Sequence, residues 1–197
     1  MNETEDSIVA NVLIVEDEED LADLYVEWLH RSFDVEVALN GEEALDHLTE
    51  DIDVVLLDRR LPDLGGDKVL EEIRTREIDC RVVIVSGVTP NFDVIDMGFD
   101  DYLEKPIKRE ELLSTVHSMV NRSEYSNSLQ ELHQLLSKVT ILEENKDSSD
   151  LEGIEEFQSL KNRIKEIRSE IDKTLDEFDR SDFEATFKRI DTVNDDP

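Results

Sequence analysis

The chain has 197 residues, which is room for one ordinary domain and a smaller second unit. Its 52 Asp and Glu residues outnumber its 21 Lys and Arg residues, and the net charge of −31 excludes nucleic-acid binding through a general basic surface and attraction to an anionic membrane. The single cysteine excludes a disulfide framework and a cysteine-rich zinc site.

The first 120 residues alternate short apolar runs with amphipathic stretches. The apolar runs predict strands at 9–15, 35–39, 54–57, 82–85 and 102–103, and helical spacing of apolar residues predicts helices at 21–29, 44–48, 69–73, 92–97 and 112–120. Continuously apolar strands that alternate with helices favour a parallel sheet covered on both faces. We therefore expect an α/β fold with a doubly wound five-stranded sheet.

Residues 121–197 follow a different pattern, with one glycine, one terminal proline and no strand signal. Apolar residues recur at helical spacing from Leu129 to Val139 and from Ile154 to Phe178, on either side of a polar stretch at 145–150. This pattern predicts an all-α helical hairpin or coiled-coil unit, in which Phe183, Phe187 and Ile190 extend the second helix or form a third. The predicted boundaries are 9–121 for the first domain, 122–190 for the helical domain and 191–197 for a disordered acidic tail.

The acidic composition has two interpretations. High net charge with few aromatic residues is typical of disorder, whereas acids spread between compact apolar segments are typical of a protein adapted to high salt. We favour the second for most of the chain. The acidic N-terminus predicts no signal peptide, and apolar runs of four to five residues predict no transmembrane helix, so we expect a cytoplasmic protein.

Polar side chains follow four of the five predicted strands. Glu16 and Asp17 end the first, Asp58 the third, Ser86 the fourth and Lys105 the fifth. Parallel strands end at one edge of a sheet, so these side chains are expected to converge there. Three carboxylates in one crevice repel each other unless a cation joins them, and oxygen ligands with access to water suit Mg²⁺.

Phosphoryl transfer is the chemistry that this set favours. The Asp58 carboxylate can form an acyl phosphate, while Mg²⁺ and Lys105 neutralise charge on the transferring group. The Glu16-Asp17 pair alone is more typical of a solvated surface than of a metal site, because Asp and Glu are so common in this chain. The interpretation rests on the ordered set at successive strand ends.

Four segments resemble the receiver domain of two-component response regulators: VLIVEDE (12–18), VVLLDRRLPDLGG (54–66), VVIVSG (82–87) and DDYLEKPI (100–107). The resemblance covers about 110 residues and implies a flavodoxin-like sheet of order 2-1-3-4-5. It also implies phosphate transfer from a histidine kinase to Asp58.

The same resemblance implies a role for each further site residue. Glu16, Asp17 and Asp58 would hold Mg²⁺ (or Mn²⁺) together with the backbone carbonyl of Arg60. Ser86 and Lys105 would contact the phosphoryl oxygens. Tyr102 would be the aromatic residue of a conformational switch, acting with Ser86. Pro106 would follow a cis peptide bond.

Residues 125–190 resemble the HalX domain, a helical unit that follows receivers in salt-loving archaea. The resemblance rests on QELHQLLSKVTILEE (130–144) and FQSLKNRIKEIRSEIDKTLDEF (157–178). The one basic stretch, 161–168, is interleaved with acids and is typical of a solvated helix face. Direct nucleic-acid binding is therefore not expected.

Four functions remain open at this point. The leading hypothesis is a phospho-accepting regulator, not an enzyme, that signals to a downstream protein through its helical domain. A homodimer through the receiver or the helical domain is compatible with it. The alternatives are a DNA-binding transcriptional regulator, a hydrolase using Asp58 as nucleophile, and a scaffold that never carries phosphate. Arg60 stands where such a hydrolase would need a second aspartate, which argues against the hydrolase.

Overall fold

The computed structural model of the chain describes residues 10–62, 64–88, 97–146, 151 and 153–193, and from 176 onward only the backbone. The chain divides into two compact units, residues 1–120 and 121–197. The sequence-based boundary at 121/122 stays a prediction.

The first unit is built on five strands. In chain order they are β1 (Asn11–Val15), β2 (Asp34–Ala38), β3 (Val54–Leu57), β4 (Arg81–Ser86) and β5 (Asp101–Glu104). They pair in parallel in the order β2-β1-β3-β4-β5, which confirms the predicted topology.

Among the described residues, three helices lie between the strands, namely α1 (Glu19–Leu29), α2 (Gly41–His47) and α3 (Gly66–Thr75). A fourth, α4 (Arg109–Asn145), follows β5. The helix predicted at 92–97 falls on residues outside the described set, except for Met97, which is not helical.

The sheet carries a separate apolar cluster on each face because successive side chains of a strand point to opposite faces. Val12 and Ile14 of β1 pack in the cluster that contains Tyr25 of α1 and Leu112 of α4. Leu13 and Val15 belong to the other cluster, with residues of α2 and α3. The polar side chains that follow the strands are consequently left at the edge of the sheet.

The described part of the second unit is almost entirely helical. It contains the part of α4 from residue 121 onward and α5 (Glu155–Val193). No glycine or proline occurs between Pro106 and Gly153, or between Gly153 and Pro197, so neither helix meets a residue that would end it early.

The long helices correct two sequence-based expectations. The helix predicted at 112–120 and the helical pattern from Leu129 to Val139 belong to one continuous helix, α4. Residues 191–193, assigned to a disordered tail, are the last turn of α5, because nothing in the sequence stops that helix before them. Residues 194–197 lie outside the described set.

Candidate functional site

Glu16, Asp17 and Asp58 form an acidic cluster at the carboxyl edge of the sheet. Glu16 and Asp17 follow β1 and Asp58 follows β3, and one carboxylate oxygen from each lies within 4.8 Å of the others. Backbone hydrogen bonds fix both turns, since Asp58 N–H donates to the Val15 carbonyl at 3.0 Å and Glu16 N–H to that of Ala38 at 3.1 Å. Glu16 and Asp58 are buried, whereas Asp17 is exposed.

Lys105, which follows β5, joins this cluster from the other side of the edge. Its Nζ donates to Glu16 Oε2 at 2.6 Å and to Asp58 Oδ2 at 2.5 Å. Its backbone N–H donates to the Ser86 carbonyl at 2.9 Å, which ties the end of β5 to the end of β4. The peptide bond between Lys105 and Pro106 is cis.

The electrostatics of the cluster follow from burial and from the lysine. Burial raises the pKa of the Glu16 carboxyl above its ordinary value, and Lys105 only partly offsets this effect. For Lys105 burial acts to lower the pKa, but hydrogen bonds and charges from Asp58 and Glu16 outweigh it, so the pKa is raised. The ammonium group therefore stays protonated between the two carboxylates.

The acidic cluster suits a divalent cation. Oε1 of Glu16 is buried and has no hydrogen-bond partner among the residues that the structure describes. Such an orphaned acceptor is costly unless a cation or donor reaches it. The three side chains offer only oxygen donors, and one of them faces solvent, which fits the ligand preference and retained waters of Mg²⁺ or Mn²⁺.

Arg60, two residues after Asp58 in the chain, fixes the orientation of the Asp58 carboxylate. Its backbone N–H donates to Asp58 Oδ1 at 2.8 Å, which leaves Oδ2 to Lys105. The Arg60 side chain is exposed. The predicted role of its carbonyl as a metal ligand stays a prediction.

Ser86 and Tyr102 are connected through one residue, Val88. The Ser86 side chain is fully buried, and its Oγ accepts a hydrogen bond from Val88 N–H at 3.4 Å. The half-buried Tyr102 hydroxyl donates to the carbonyl of the same Val88. The resemblance found in the sequence pairs Ser86 with Tyr102, and the fold reveals Val88 as the residue that links them.

Gly66 is a second residue whose role the sequence does not reveal. A Cβ at this position would lie 2.1 Å from the Asp58 carbonyl oxygen and 2.8 Å from Arg59 Cα. Gly66 N–H donates to the Arg59 carbonyl at 3.1 Å, and the Arg59 guanidinium pairs with Asp67 of α3 through two bonds of 2.9 and 3.0 Å. The start of α3 thus packs directly on the backbone that carries Asp58.

Comparison with protein families agrees with this geometry. A family model for the response regulator receiver domain matches residues 12–117. The chain belongs to the response regulator receiver family. A second model, for the HalX domain, matches residues 121–187, so both resemblances found in the sequence are confirmed.

Similar proteins extend this picture. A Haloferax volcanii protein named "Putative transcriptional regulator" is 43% identical over 160 residues, covering 81% of this chain and 27% of its own length. The signal receiver domain of a Vibrio parahaemolyticus protein superposes with a TM-score of 0.57 at 28% identity, over 61% of this chain and 96% of that one. The BeF₃-activated receiver domain of DrrB superposes with a TM-score of 0.53 at 26% identity, over 57% of this chain and 98% of that one.

The curated relatives are longer than this chain. It spans between 27% and 57% of the length of those it matches first. In the described part of the chain, no helix has both the length and the apolar character needed to cross a membrane.

Proposed function

We propose that this response regulator accepts a phosphoryl group from a histidine kinase on Asp58, with Mg²⁺ or Mn²⁺ held by Glu16, Asp17, Asp58 and the Arg60 carbonyl. One observation carries the proposal: Lys105 Nζ contacts both Glu16 and Asp58 at the edge where the acidic cluster lies. When bound, the cation neutralises charge on the phosphoryl oxygens.

The chemistry of the protein residues is a nucleophilic displacement. An Asp58 oxygen attacks phosphorus, a P–O bond to the carboxylate forms, and the bond from phosphorus to the donor's leaving group breaks. The Arg60 N–H keeps the other Asp58 oxygen fixed during this step. Lys105 exchanges its contact with Asp58 for one with the new phosphoryl oxygens, and Ser86 donates its hydroxyl hydrogen to another of them.

The Ser86–Val88–Tyr102 connection supports a conformational switch. If Ser86 Oγ turns toward the phosphoryl group, it leaves the Val88 N–H, and the Val88 carbonyl that holds the Tyr102 hydroxyl moves with the same residue. Tyr102 then repacks and changes the surface around β5. A phosphoryl group, with nearly two negative charges, supplies the differential interaction that such a switch needs.

The output proposed here is contact between the helical unit and another protein, not turnover of a substrate. The exposed leucines and isoleucines of α4 and α5 support a contact surface. The basic residues of α5 at 161–168 alternate with the acidic residues Glu166 and Glu170, which disfavours binding to a phosphate backbone.

Labelling with a small phosphodonor tests the proposal. We expect Mg²⁺-dependent incorporation into the wild-type chain and none into Asp58→Asn. Asp34→Asn, which changes an exposed aspartate at the start of β2, is the matched control and should label like the wild type. Equal labelling of the Asp58→Asn variant would refute the assignment, and multiple turnover of a phosphate ester would instead indicate a hydrolase.

A further inference from the structure

The helical unit contains an apolar groove between the last part of α4 and the first part of α5. The groove has a volume of about 460 Å³, and two residues that precede α5 also line it. We call it the hairpin groove, and its apolar lining consists of Ile141, Leu142, Leu151, Ile154, Phe157 and Leu160. One lysine and one glutamate complete the lining that the structure describes.

The hairpin groove has a buried floor and an exposed rim. Leu151 and Phe157 are buried, so the unit itself already covers them. Ile141 is 61% exposed, Ile154 41% and Leu142 37%, and these three surround the floor on the solvent side. Large apolar side chains that are exposed together beside a groove are typical of a surface that a partner covers.

The shape of this surface is complementary to itself. Ile141 lines the groove and is also the most exposed of the large apolar side chains in the described part of the chain. The surface therefore carries both a projecting side chain and the recess that can receive it. In two copies related by a two-fold axis, Ile141 of each copy enters the groove of the other, and every contact is made twice.

The charges of the hairpin groove also match those of a second copy. Its charged lining residues are Lys138 of α4 and Glu156 of α5. Within the part of the chain that the structure describes, neither of them makes an ion pair. A two-fold arrangement that sets Lys138 of one copy against Glu156 of the other forms this pair twice.

The same features disfavour other occupants. One lysine in an apolar groove is too little positive charge to hold a phosphate backbone. A strongly charged partner of either sign would meet a like charge at Lys138 or at Glu156. Two copies of a chain with a charge of −31 repel each other at low salt, but at about 1 M salt the screening length is about 3 Å and the apolar contact remains.

We propose that the hairpin groove binds a second copy of this chain in a two-fold dimer. Ile141 of each copy fills the groove of the other, and Lys138 pairs with Glu156 across the interface. This inference goes beyond the proposed function. It concerns the unphosphorylated chain, so its failure would leave the phosphotransfer proposal untouched.

Sedimentation velocity of the full unphosphorylated chain tests the dimer. In a protein concentration series in about 1 M KCl, where repulsion between the copies is screened, we expect a shift from monomer to dimer. Ile141→Asp should raise the dissociation constant about tenfold or more, because it puts a charge into the apolar contact. Leu24→Asp changes an exposed leucine of α1 in the same way and should associate like the wild type.

Exchange of the two charges tests the pairing across the interface. At about 0.5 M KCl, Lys138→Glu alone and Glu156→Lys alone should each weaken association about fivefold or more, because each sets like charges against each other twice. An equimolar mixture of these two variants should associate again, since opposite charges then meet at both contacts. Lys165→Glu, outside the groove, is the matched control and should behave like the wild type.

Three results would overturn the inference. The first is a chain that stays monomeric at every concentration, which would assign the groove to a different protein. The second is a dimer that Ile141→Asp does not weaken while circular dichroism shows intact helices. The third is a mixture of Lys138→Glu with Glu156→Lys that associates no better than either variant alone.

Discussion

Lys105 illustrates how far single residues of the site follow from the sequence. Lysine is rare in this acidic chain, and this one comes directly after the fifth apolar segment. Because parallel strands end at one edge, its position next to Glu16 and Asp58 could be predicted, and the structure places its Nζ within hydrogen-bond distance of both. The role of each residue in phosphotransfer stays a prediction.

Val88 and Gly66 show why other site residues could not be predicted. The link from Ser86 to Tyr102 through Val88 depends on how the end of β4 lies against β5. The close approach of Gly66 to the Asp58 carbonyl depends on the path of an eight-residue loop in three dimensions. In the sequence, Gly65-Gly66 signals only a turn.

Replacing Gly66 with alanine should damage the site. The new Cβ would lie 2.1 Å from the Asp58 carbonyl oxygen, so the loop or α3 must move. We expect Gly66→Ala to lower the free energy of unfolding by about 1–3 kcal/mol, as overpacking does, and to slow phosphorylation of Asp58. Urea unfolding and labelling by a phosphodonor measure the two effects.

The neighbouring glycine supplies the control. A Cβ on Gly65 would meet nothing closer than 3.9 Å, and its φ of −60° and ψ of 150° suit any residue. Gly65→Ala should therefore cost less than about 1 kcal/mol, mostly through its place at the helix N-cap. If both variants behaved alike, the close packing of α3 on the Asp58 loop would not matter for the site.

At the scale of elements, apolar patterns predict which segments form strands and helices but not where each ends. β5 has only two apolar residues in its predicted core, yet it spans four residues. Asp100 anchors its start, because its carboxylate accepts from Val82 N–H at 2.8 Å, from Arg74 at 3.0 Å and from Arg81 at 3.1 Å. These partners come from two other elements, α3 and β4, so no pattern in the sequence around Asp100 predicts them.

The continuity of α4 has a different cause. The sequence from 121 to 128 is polar, and a polar stretch between apolar patterns is typical of a linker. None of these residues breaks a helix, however, and α4 runs through them. Polarity thus marks the change of unit, while the absence of glycine and proline decides the backbone conformation.

The Glu131–Arg163 pair should stabilise the hairpin only at lower salt. The hydrogen bond from Arg163 lowers the pKa of Glu131, but both side chains are about 42% exposed, so the pair is open to screening. We expect Glu131→Gln to reduce the free energy of unfolding by less than about 1 kcal/mol at about 0.5 M KCl, and by nothing measurable at about 3 M. Urea unfolding followed by circular dichroism measures this.

Glu144→Gln is the matched control for that prediction, since it removes an exposed acid on the same helix. It should leave stability unchanged or raise it slightly, because one repelling charge is lost. A loss with Glu131→Gln that persisted unchanged at high salt would mean that its hydrogen bonds, rather than its charge, hold the helices together.

At the scale of the whole molecule, charge is the dominant feature. A surplus of 31 negative charges opposes compaction wherever the charges are not screened. At about 1 M salt the screening length falls to about 3 Å, and this repulsion fades. Composition therefore predicts conditions for stability, whereas the apolar clusters on the two faces of the sheet determine the fold.

The melting temperature should accordingly rise with salt. We expect a clear increase between about 0.1 M and about 3 M KCl, because screening of the acidic surface favours the compact state. Differential scanning calorimetry over a KCl series measures it. A melting temperature that did not change across the series would show that surface repulsion contributes little to the stability of this chain.

Location of the phosphoryl group by mass spectrometry tests the central claim most directly. The unmutated chain is incubated with a small phosphodonor in molar KCl, with Mg²⁺ or with a chelator, and the modified peptide is sequenced. We predict one phosphoryl group, in the peptide that contains Asp58, formed only when Mg²⁺ is present. A phosphoryl group on any other residue, or equal modification with the chelator, would contradict the assignment of Asp58 and its acidic neighbours as the phosphoacceptor site.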